Sequence, residues 1–413
     1  MQLHDFIRKI NKSGYCDRCC RVYTVIKTSI PSNHGQRTEQ KENFMKKLKI
    51  GIIGLGFIGP QHIDGLRRVP GVEVAAVCDR DTEILKTVQT HYDVPMYCTD
   101  WRELIADPAL DVIHNCTPHA MHDEINRAAI LAGKHIYCEK PLSNSAAQAR
   151  AIWQLAVEKG VAHGLNHQYR MNAPVQEMKA RLQNGLAGRP LLAYGQYLQE
   201  SASQATDWSS RMENTGIART INDIGIHWLD TACCVLGQPV VSVMADLTIH
   251  HPVRTDAQGR QHTMDTEDTA LILMRFADGM PGSLVVSKAA NGHKNDLQLA
   301  VECENYSMEW SQENPDRFTA GIKGVGTETV YMNPCTCQME TRPYITTPMG
   351  HVMGWCDALH NALERYYGSI FSNSYKTGKQ PYATFEDGFK GMAFVEACIR
   401  SHQLRSWVEV EQP

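Results

Sequence analysis

Residues 47–60 read KLKIGIIGLGFIGP. A short apolar run (Ile50, Ile52, Ile53) ends in Gly54-Leu55-Gly56-Phe57-Ile58-Gly59, and a polar helical pattern follows. That order is strand, glycine turn, helix. Gly54 permits the tight turn, Gly56 lets a pyrophosphate approach the backbone, and Gly59 lets helix pack on strand. Free N–H groups and the helix dipole then favour the phosphates. GxGxxG arises by chance in loops, so context decides. A second apolar run, Val72 to Cys78, ends in Asp79, twenty positions after Gly59. A carboxylate at that strand tip holds ribose hydroxyls and repels a 2′-phosphate. Arg80 beside it either binds such a phosphate or stacks on adenine. The stretch predicts a site for NAD, with NADP possible.

The whole chain sets wider bounds. Its 413 residues suit two or three domains with a large core. Hydrophobic content of 43% and charged content of 21% are ordinary for a globular protein. A net charge of −4 gives no field that would draw nucleic acid or an anionic membrane. No apolar run approaches the ~20 residues a membrane helix needs, and MQLHDFIRKI at the N-terminus lacks an apolar signal core. Most of the fourteen cysteines sit singly in apolar runs, as Cys78, Cys116, Cys138 and Cys398 do. They read as buried hydrophobes in a reducing compartment, so a cytoplasmic location is expected.

Residues 1–44 differ from the rest. They are polar and basic, without sustained periodicity, and read as a disordered tail or a start-site artefact, since Met45 directly precedes the first strand. Their Cys16-Asp17-Arg18-Cys19-Cys20 cluster lacks a second ligand pair, which His34 alone does not supply, so no metal is expected. From 45 to 167 strands and helices alternate, which predicts a doubly wound parallel sheet of Rossmann type. Ligands bind at the carboxyl ends of such strands. Those tips are the glycine loop, Asp79-Arg80, Thr117-Pro118-His119, Glu139-Lys140-Pro141 and Asn166-His167. From 168 to 413 strands recur without intervening helices, which predicts an α+β domain with a mostly antiparallel sheet. Helices are expected at Ile224–Leu236, His351–Tyr367 and Thr384–Ser401.

Two places carry candidate chemistry. Lys140 lies at a strand tip over the nicotinamide end of the crevice, although strand-tip lysines are often plain surface residues. Asp223 and His227 stand four apart at the start of a predicted helix, a spacing that shares one face. A carboxylate there can fix the tautomer of a histidine acting as acid or base. Spacing alone equally allows, and favours, an N-cap aspartate with a core histidine. Zinc at His227 with Cys233-Cys234 is weaker, because adjacent cysteines diverge on a helix.

The glycine loop, Thr117-Pro118…His122, Glu139-Lys140-Pro141 and Asp223-Ile224-Gly225-Ile226-His227…Asp230 occur in this order. Together, over Met45 to about Val410, they resemble the glucose–fructose oxidoreductase / inositol dehydrogenase / MocA (Gfo/Idh/MocA) family. The resemblance implies hydride transfer between a nicotinamide cofactor and a secondary hydroxyl of a sugar or cyclitol. His227 would be the base, Asp223 its orienting partner, and Lys140 the group that binds the hydroxyl oxygen. The cofactor crevice would take Gly54, Gly56, Phe57, Ile58 and Gly59, then Asp79 and Arg80, then Thr117, Pro118, His119 and His122, then Glu139, Lys140 and Asn166. His119 departs from the asparagine common in the family. The loop Ser201–Thr220, with Asp207, Trp208, Arg211 and Arg219, would lie near the substrate. Trp208 and Arg170 would join Lys140, Asp223 and His227 in binding it. The second sheet would be large and open, pairing subunits into a homodimer or homotetramer. Relatives acting as NAD-dependent glycosidases, or as non-catalytic dinucleotide or sugar sensors, keep two alternatives open; a sensor needs no acid–base set.

Overall fold

In a computed structural model, residues 47–208 and 216–413 are described. The expectations for residues 1–44, with their cysteine cluster and His34, and for Arg211 lie outside the described residues. Lys46–Pro413 forms one compact unit.

The glycine stretch nucleates a six-stranded parallel sheet in the order β3-β2-β1-β4-β5-β6. Its strands are β1 (Leu48–Ile53), β2 (Val72–Cys78), β3 (Met96–Cys98), β4 (Val112–Asn115), β5 (His135–Cys138) and β6 (His163–Leu165). Between them run helices α1 (Gly59–Arg67), α2 (Thr82–His91), α3 (Trp101–Ala106), α4 (His122–Leu131) and α5 (Ala146–Lys159). The strands read as continuous apolar runs because both faces are covered: Ile50, Ile52, Val112 and Ile113 have no exposed surface. Caps follow the sequence signals. Asp81 accepts from Glu83 N and Ile84 N at the head of α2, and Gly160 closes α5 in the left-handed region. The strand order turns outward in both directions from β1 and β4. The crevice between their tips is therefore the switch point where ligands bind.

A nine-stranded sheet follows, in the order β16-β15-β14-β13-β7-β12-β11-β8-β17. Its strands are β7 (Pro190–Leu198), β8 (Val240–Thr248), β11 (Thr269–Phe276), β12 (Pro281–Ser287), β13 (Asp296–Cys303), β14 (Tyr306–Ser311), β15 (Arg317–Ile322), β16 (Gly326–Tyr331) and β17 (Val408–Glu409). All neighbours are antiparallel except β7 and β12. A separate ribbon pairs β9 (Val253–Thr255) with β10 (Gln261–Thr263). One face of the large sheet is covered by helices, among them α7 (Ile226–Leu236). Trp228, fully buried, fastens α7 by donating its indole N–H to Gln298 O of β13 at 2.8 Å. The other face carries an apolar row. Leu271 and Leu273 are each 52% exposed, with Val285 and Met244 directly across from them on β12 and β8.

The chain then returns to the first sheet. Helices α8 (Trp355–Phe371) and α9 (Phe385–Leu404) follow α6 (Ala173–Gln183) and α7 in chain order, and both pack back on it. Tyr366 donates to Ala162 O, and Leu165 N donates to Ala383 O. Helix α8 starts four residues later than the expected His351, because Asp357 accepts from Gly354 N and sets the start there. The sequence reading also lacked β9, β10, β15 and β16. Strand β16, GTETVY at the sheet edge, buries no residue and so carries no alternation to read. No helix among the described residues is long and apolar enough to cross a membrane.

Replacing Trp228 by Phe deletes the bond that fixes α7 on β13 and leaves Gln298 O to lose a partner. Urea unfolding should show a stability loss of about 1–3 kcal/mol, larger than that of a surface Trp407→Phe control.

Candidate active site

The glycine loop fits a dinucleotide. Gly54 has φ +92°, and a Cβ there would lie 2.6 Å from the Cys116 carbonyl group, so only glycine closes β1 against β4. A Cβ on Gly59 would stand 2.2 Å from Gly54 O, whereas one on Gly56 would meet nothing within 4 Å. The loop is thus tight where it packs and open where a pyrophosphate would approach. No side chain caps α1, which leaves its first N–H groups free for an anion. Asp79 ends β2 as expected. Its Oδ2 accepts from Leu55 N at 2.7 Å and its Oδ1 from Asp81 N at 2.9 Å, which ties the carboxylate to the loop it serves. Arg80 is exposed and makes no hydrogen bond among the described residues, and Phe57 is also exposed beside the loop.

Three expected crevice residues turn inward instead. Glu139 is buried, its Oε1 accepting from His62 Nε2 at 3.0 Å and from Asn166 Nδ2 at 2.5 Å. Asn166 also accepts from the Tyr137 hydroxyl. The chain continues from His62 Nδ1 to His114 Nδ1 at 2.8 Å, and from His114 Nε2 to the Tyr367 hydroxyl at 2.7 Å. His122 lies between two carbonyls, Pro141 O at 2.6 Å and Thr117 O at 2.9 Å. Buried polar groups must be satisfied somewhere. Here they staple the tips of β4 and β5 together. Glu139, Asn166 and His122 support the crevice from beneath, and no free polar atom of theirs faces it. Thr117 likewise donates to Asn115 Oδ1. His119 differs: its Nε2 has no partner among the described residues, and burial, with His122 and Lys140 adding to it against Asp223, pushes its pKa down to about 4. It stands as a neutral imidazole beside Lys140 and Asp223.

Above this base the two sheets meet. Lys140, at the tip of β5, reaches Asp223 across the crevice: its Nζ donates to Asp223 Oδ1 at 2.6 Å and to Asp223 O at 2.9 Å. Lys288, just after β12, pairs with Asp223 Oδ2. Desolvation alone would raise the Asp223 carboxyl, but the two ammonium groups outweigh it and hold it well below the usual range. Burial alone would lower Lys140, and Asp223 outweighs that too, so Lys140 stays charged.

The expected Asp223–His227 hydrogen bond is absent among the described residues: both carboxylate oxygens of Asp223 are taken by Lys140 and Lys288. Ile221–Gly225 is a π-turn, with Ile226 N–H reaching Ile221 O five residues back. The turn is fixed from outside. Glu267, buried, accepts from Thr220 N and Ile221 N at 2.8 Å and from Arg219 N at 3.1 Å. His227 itself is 5% exposed, its Nδ1 unpartnered among the described residues. Its ring packs edge-on against Tyr169 (4.9 Å between centroids) and His167 (5.4 Å). Burial, reinforced by Lys140 and His167 and opposed by Asp223, holds its pKa well below the usual imidazole value. Tyr169 and Tyr197 share a hydroxyl contact at 3.1 Å and both bond Asn295, forming a polar wall beside the ring.

Two expected substrate ligands are elsewhere. Arg170 is buried, with Nε on Asp230 Oδ2 at 2.7 Å and Nη2 shared between Asp230 and Asp387. Its donors are committed to carboxylates that would otherwise be buried alone. This also accounts for Asp230: it ties α7 to the segment after β6 and to α9. Trp208 stacks on His262 of β10, 4.0 Å between centroids, and among the described residues no hydrogen bond or ring contact joins it to Lys140, Asp223 or His227. Arg219 is buried with Arg254 on Asp268. Sequence reasoning missed Lys288, Glu267, Tyr169 and Tyr197; Lys288 stands alone after an apolar run, where nothing marks it. Among the described residues, no group of three or more His, Cys, Asp or Glu side chains could hold a metal ion.

Comparison with known proteins agrees with this fold. A family model described as "Oxidoreductase family, NAD-binding Rossmann fold" covers residues 48–167, and one described as "GFO/IDH/MocA C-terminal domain" covers 175–309. A levoglucosan dehydrogenase of Pseudarthrobacter phenanthrenivorans is 26% identical, over 89% of this chain and 99% of that protein. A 1,5-anhydro-D-fructose reductase of Ensifer adhaerens is 30% identical, over 87% of this chain and 98% of its own length. Among solved structures, levoglucosan dehydrogenase in complex with NADH and L-sorbose superposes with a TM-score of 0.82 at 25% identity, over 89% of this chain and all of the other. The chain belongs to the Gfo/Idh/MocA oxidoreductase family and carries its NAD-binding Rossmann fold.

Proposed function

We propose that this protein is an NAD-dependent dehydrogenase acting on a secondary hydroxyl of a sugar, sugar derivative or cyclitol. The observation that carries the reading is the meeting of Lys140 with Asp223 beside a neutral, buried His227, at the switch point of a dinucleotide fold. Bound NAD supplies the hydride acceptor at its nicotinamide ring. His227 takes the hydroxyl proton of the substrate at its imidazole nitrogen. Lys140 has one N–H left beyond those given to Asp223, and this donor stabilises the charge developing on the substrate oxygen. Asp223 aims that ammonium. Tyr169, Tyr197 and the Asn295 amide give the sugar a polar, aromatic wall. Relatives named for anhydrosugars and for D-apiose support the substrate class.

Two further parts belong to the same reading. Free, buried Cys78, Cys116, Cys138 and Cys398 support a reducing, cytoplasmic setting. The apolar row Leu271, Leu273, Val285 and Met244 supports a homo-oligomer formed through the open sheet, because a contiguous exposed apolar patch is costly in water. A Leu271→Glu, Leu273→Glu double variant should sediment as a monomer where the parent sediments as a dimer or tetramer. A parent that is itself monomeric overturns that part.

The catalytic assignment is tested on a panel of monosaccharides, anhydrosugars and cyclitols, reading NADH absorbance. NADH should accumulate in step with oxidised product; a glycoside turned over with no net NADH would mean hydrolysis instead. His227→Ala should lose about a hundredfold to ten-thousandfold in turnover with little change in NAD affinity. Lys140→Ala should fall comparably. Since His227 must be neutral to accept a proton and its pKa is depressed, oxidation should hold its rate as pH falls to about 6.5 and decline only below it. Near-normal turnover of folded His227→Ala removes the base assignment.

For the cofactor, Asp79 should favour NAD over NADP by about tenfold or more in Kd, roughly 1.4 kcal/mol. Fluorescence titration with NADH and NADPH reads this directly. Asp79→Ser should erase the preference, leaving Arg80 free to take the 2′-phosphate.

A further inference from the structure

Asp223 is held from both sides. Lys140 takes Oδ1 and the main-chain carbonyl, and Lys288 takes Oδ2. The Lys140 side chain is 17% exposed and that of Lys288 is 13%, so neither ammonium is a loosely solvated surface group. Meanwhile His227 Nδ1 is buried without a partner among the described residues, and the Asp223 charge acts on its ring. A buried imidazole nitrogen ordinarily finds a partner, but both oxygens of Asp223 are taken by lysines.

We propose that Lys288 is a positioning residue: by holding Oδ2 it keeps the Asp223 carboxylate turned to the two lysines and away from His227, so that the imidazole stands as a base without a carboxylate partner. The proposal rests on Asp223 and His227 forming the reaction centre described above. Every charged or titratable group around the ring enters the argument. Lys140 comes from the tip of β5, His167 from the tip of β6, Tyr169 from the turn after it, and Tyr197 from β7. His119 from the turn after β4 adds its field at Lys140 and Asp223, and the Arg170–Asp230 pair lies behind His167. Among these, Asp223 is the group that raises the affinity of His227 for a proton. Lys288 decides which way that group faces.

The test is the protonation of His227 itself, followed by NMR of the full-length protein labelled with 15N-histidine and saturated with NADH. The His227 resonances are identified by their loss in His227→Ala. In the parent they should stay in a neutral form through the physiological range. In Lys288→Met the freed Oδ2 turns to Nδ1, and the His227 midpoint should rise by about one pH unit or more, the effect of an opposite charge within hydrogen-bond reach. Lys288→Arg keeps a cation there and should titrate like the parent. Lys288→Leu, which likewise offers Asp223 no donor, carries the same expectation as Met and serves if Met fails to fold. A His227 midpoint in Lys288→Met or Lys288→Leu equal to that of the parent overturns the proposal. So does an Arg variant that shifts as far as Met. Turnover of His227→Ala with NAD is measured beside them: full activity there would remove the base assignment, while the NMR midpoints would still report whether Lys288 governs Asp223.

Discussion

The ion pair between Lys140 and Asp223 joins the two halves of the protein at the one place where both matter. Lys140 ends a strand of the parallel sheet; Asp223 lies in a π-turn that leads into the helix packed on the antiparallel one. Each is held from behind by further partners. Behind Lys140 lies the chain from Glu139 through His62 and His114 to Tyr367, a hydroxyl contributed by a helix from the far end of the sequence. Behind Asp223 lies the Glu267 carboxylate, which receives the free N–H groups at the start of the π-turn. Neither support touches the crevice, yet each decides where a charge in it points. A misplacement of about 1 Å at such a centre costs far more rate than stability.

Much of this was legible in the sequence, and the physical reason is that backbone constraints are local. Gly54 and Gly59 were readable because a turn and a close approach permit little else, and Asp79 because it ends an apolar run at the expected distance. The apolar runs placed the six parallel strands. What could not be read was where side chains turn. Asp223 and His227 were placed on one helical face, but Asp223 gives both its oxygens to lysines that lie beyond two separate strands. No residue in INDIG announces the π-turn; Glu267, forty-four positions beyond Asp223, holds it in place. Arg170 had the type and position of a ligand but found two carboxylates first. Glu139, Asn166 and His122 belonged to the right motifs, and the structure uses them as braces.

Lys288 shows the same limit from the other side. A lysine after an alternating strand is what any surface strand end supplies, so nothing in Ser287-Lys288-Ala289 sets it apart. It acquires meaning from the register of β12 beside β7 and β11, which delivers its ammonium to Asp223. Long-range placement of this kind is a property of the sheet as a whole.

Charge at the centre follows from this placement. Two ammonium groups face one carboxylate, while burial keeps His227, His119 and His167 neutral. Lys140 and Lys288 thus set two ammonium groups around one carboxylate at the crevice, with the Glu139 carboxylate as a further counter-charge beneath Lys140. An alcohol losing its proton gains negative charge on oxygen, and in a partly desolvated crevice a unit charge about 4 Å away contributes about 4 kcal/mol at an effective dielectric constant of about 20. That exceeds the few kcal/mol a single acid–base group contributes at the low end of its range. The same field disfavours a cationic imidazole, so on the proposed assignment a proton accepted by His227 would be held weakly and passed on readily. A carboxylate turned to the ring would strengthen the base but would also retain the proton. With Asp223 turned to the lysines instead, that assignment makes the imidazole a weak, quickly discharged base and leaves the stabilisation of the oxygen to Lys140.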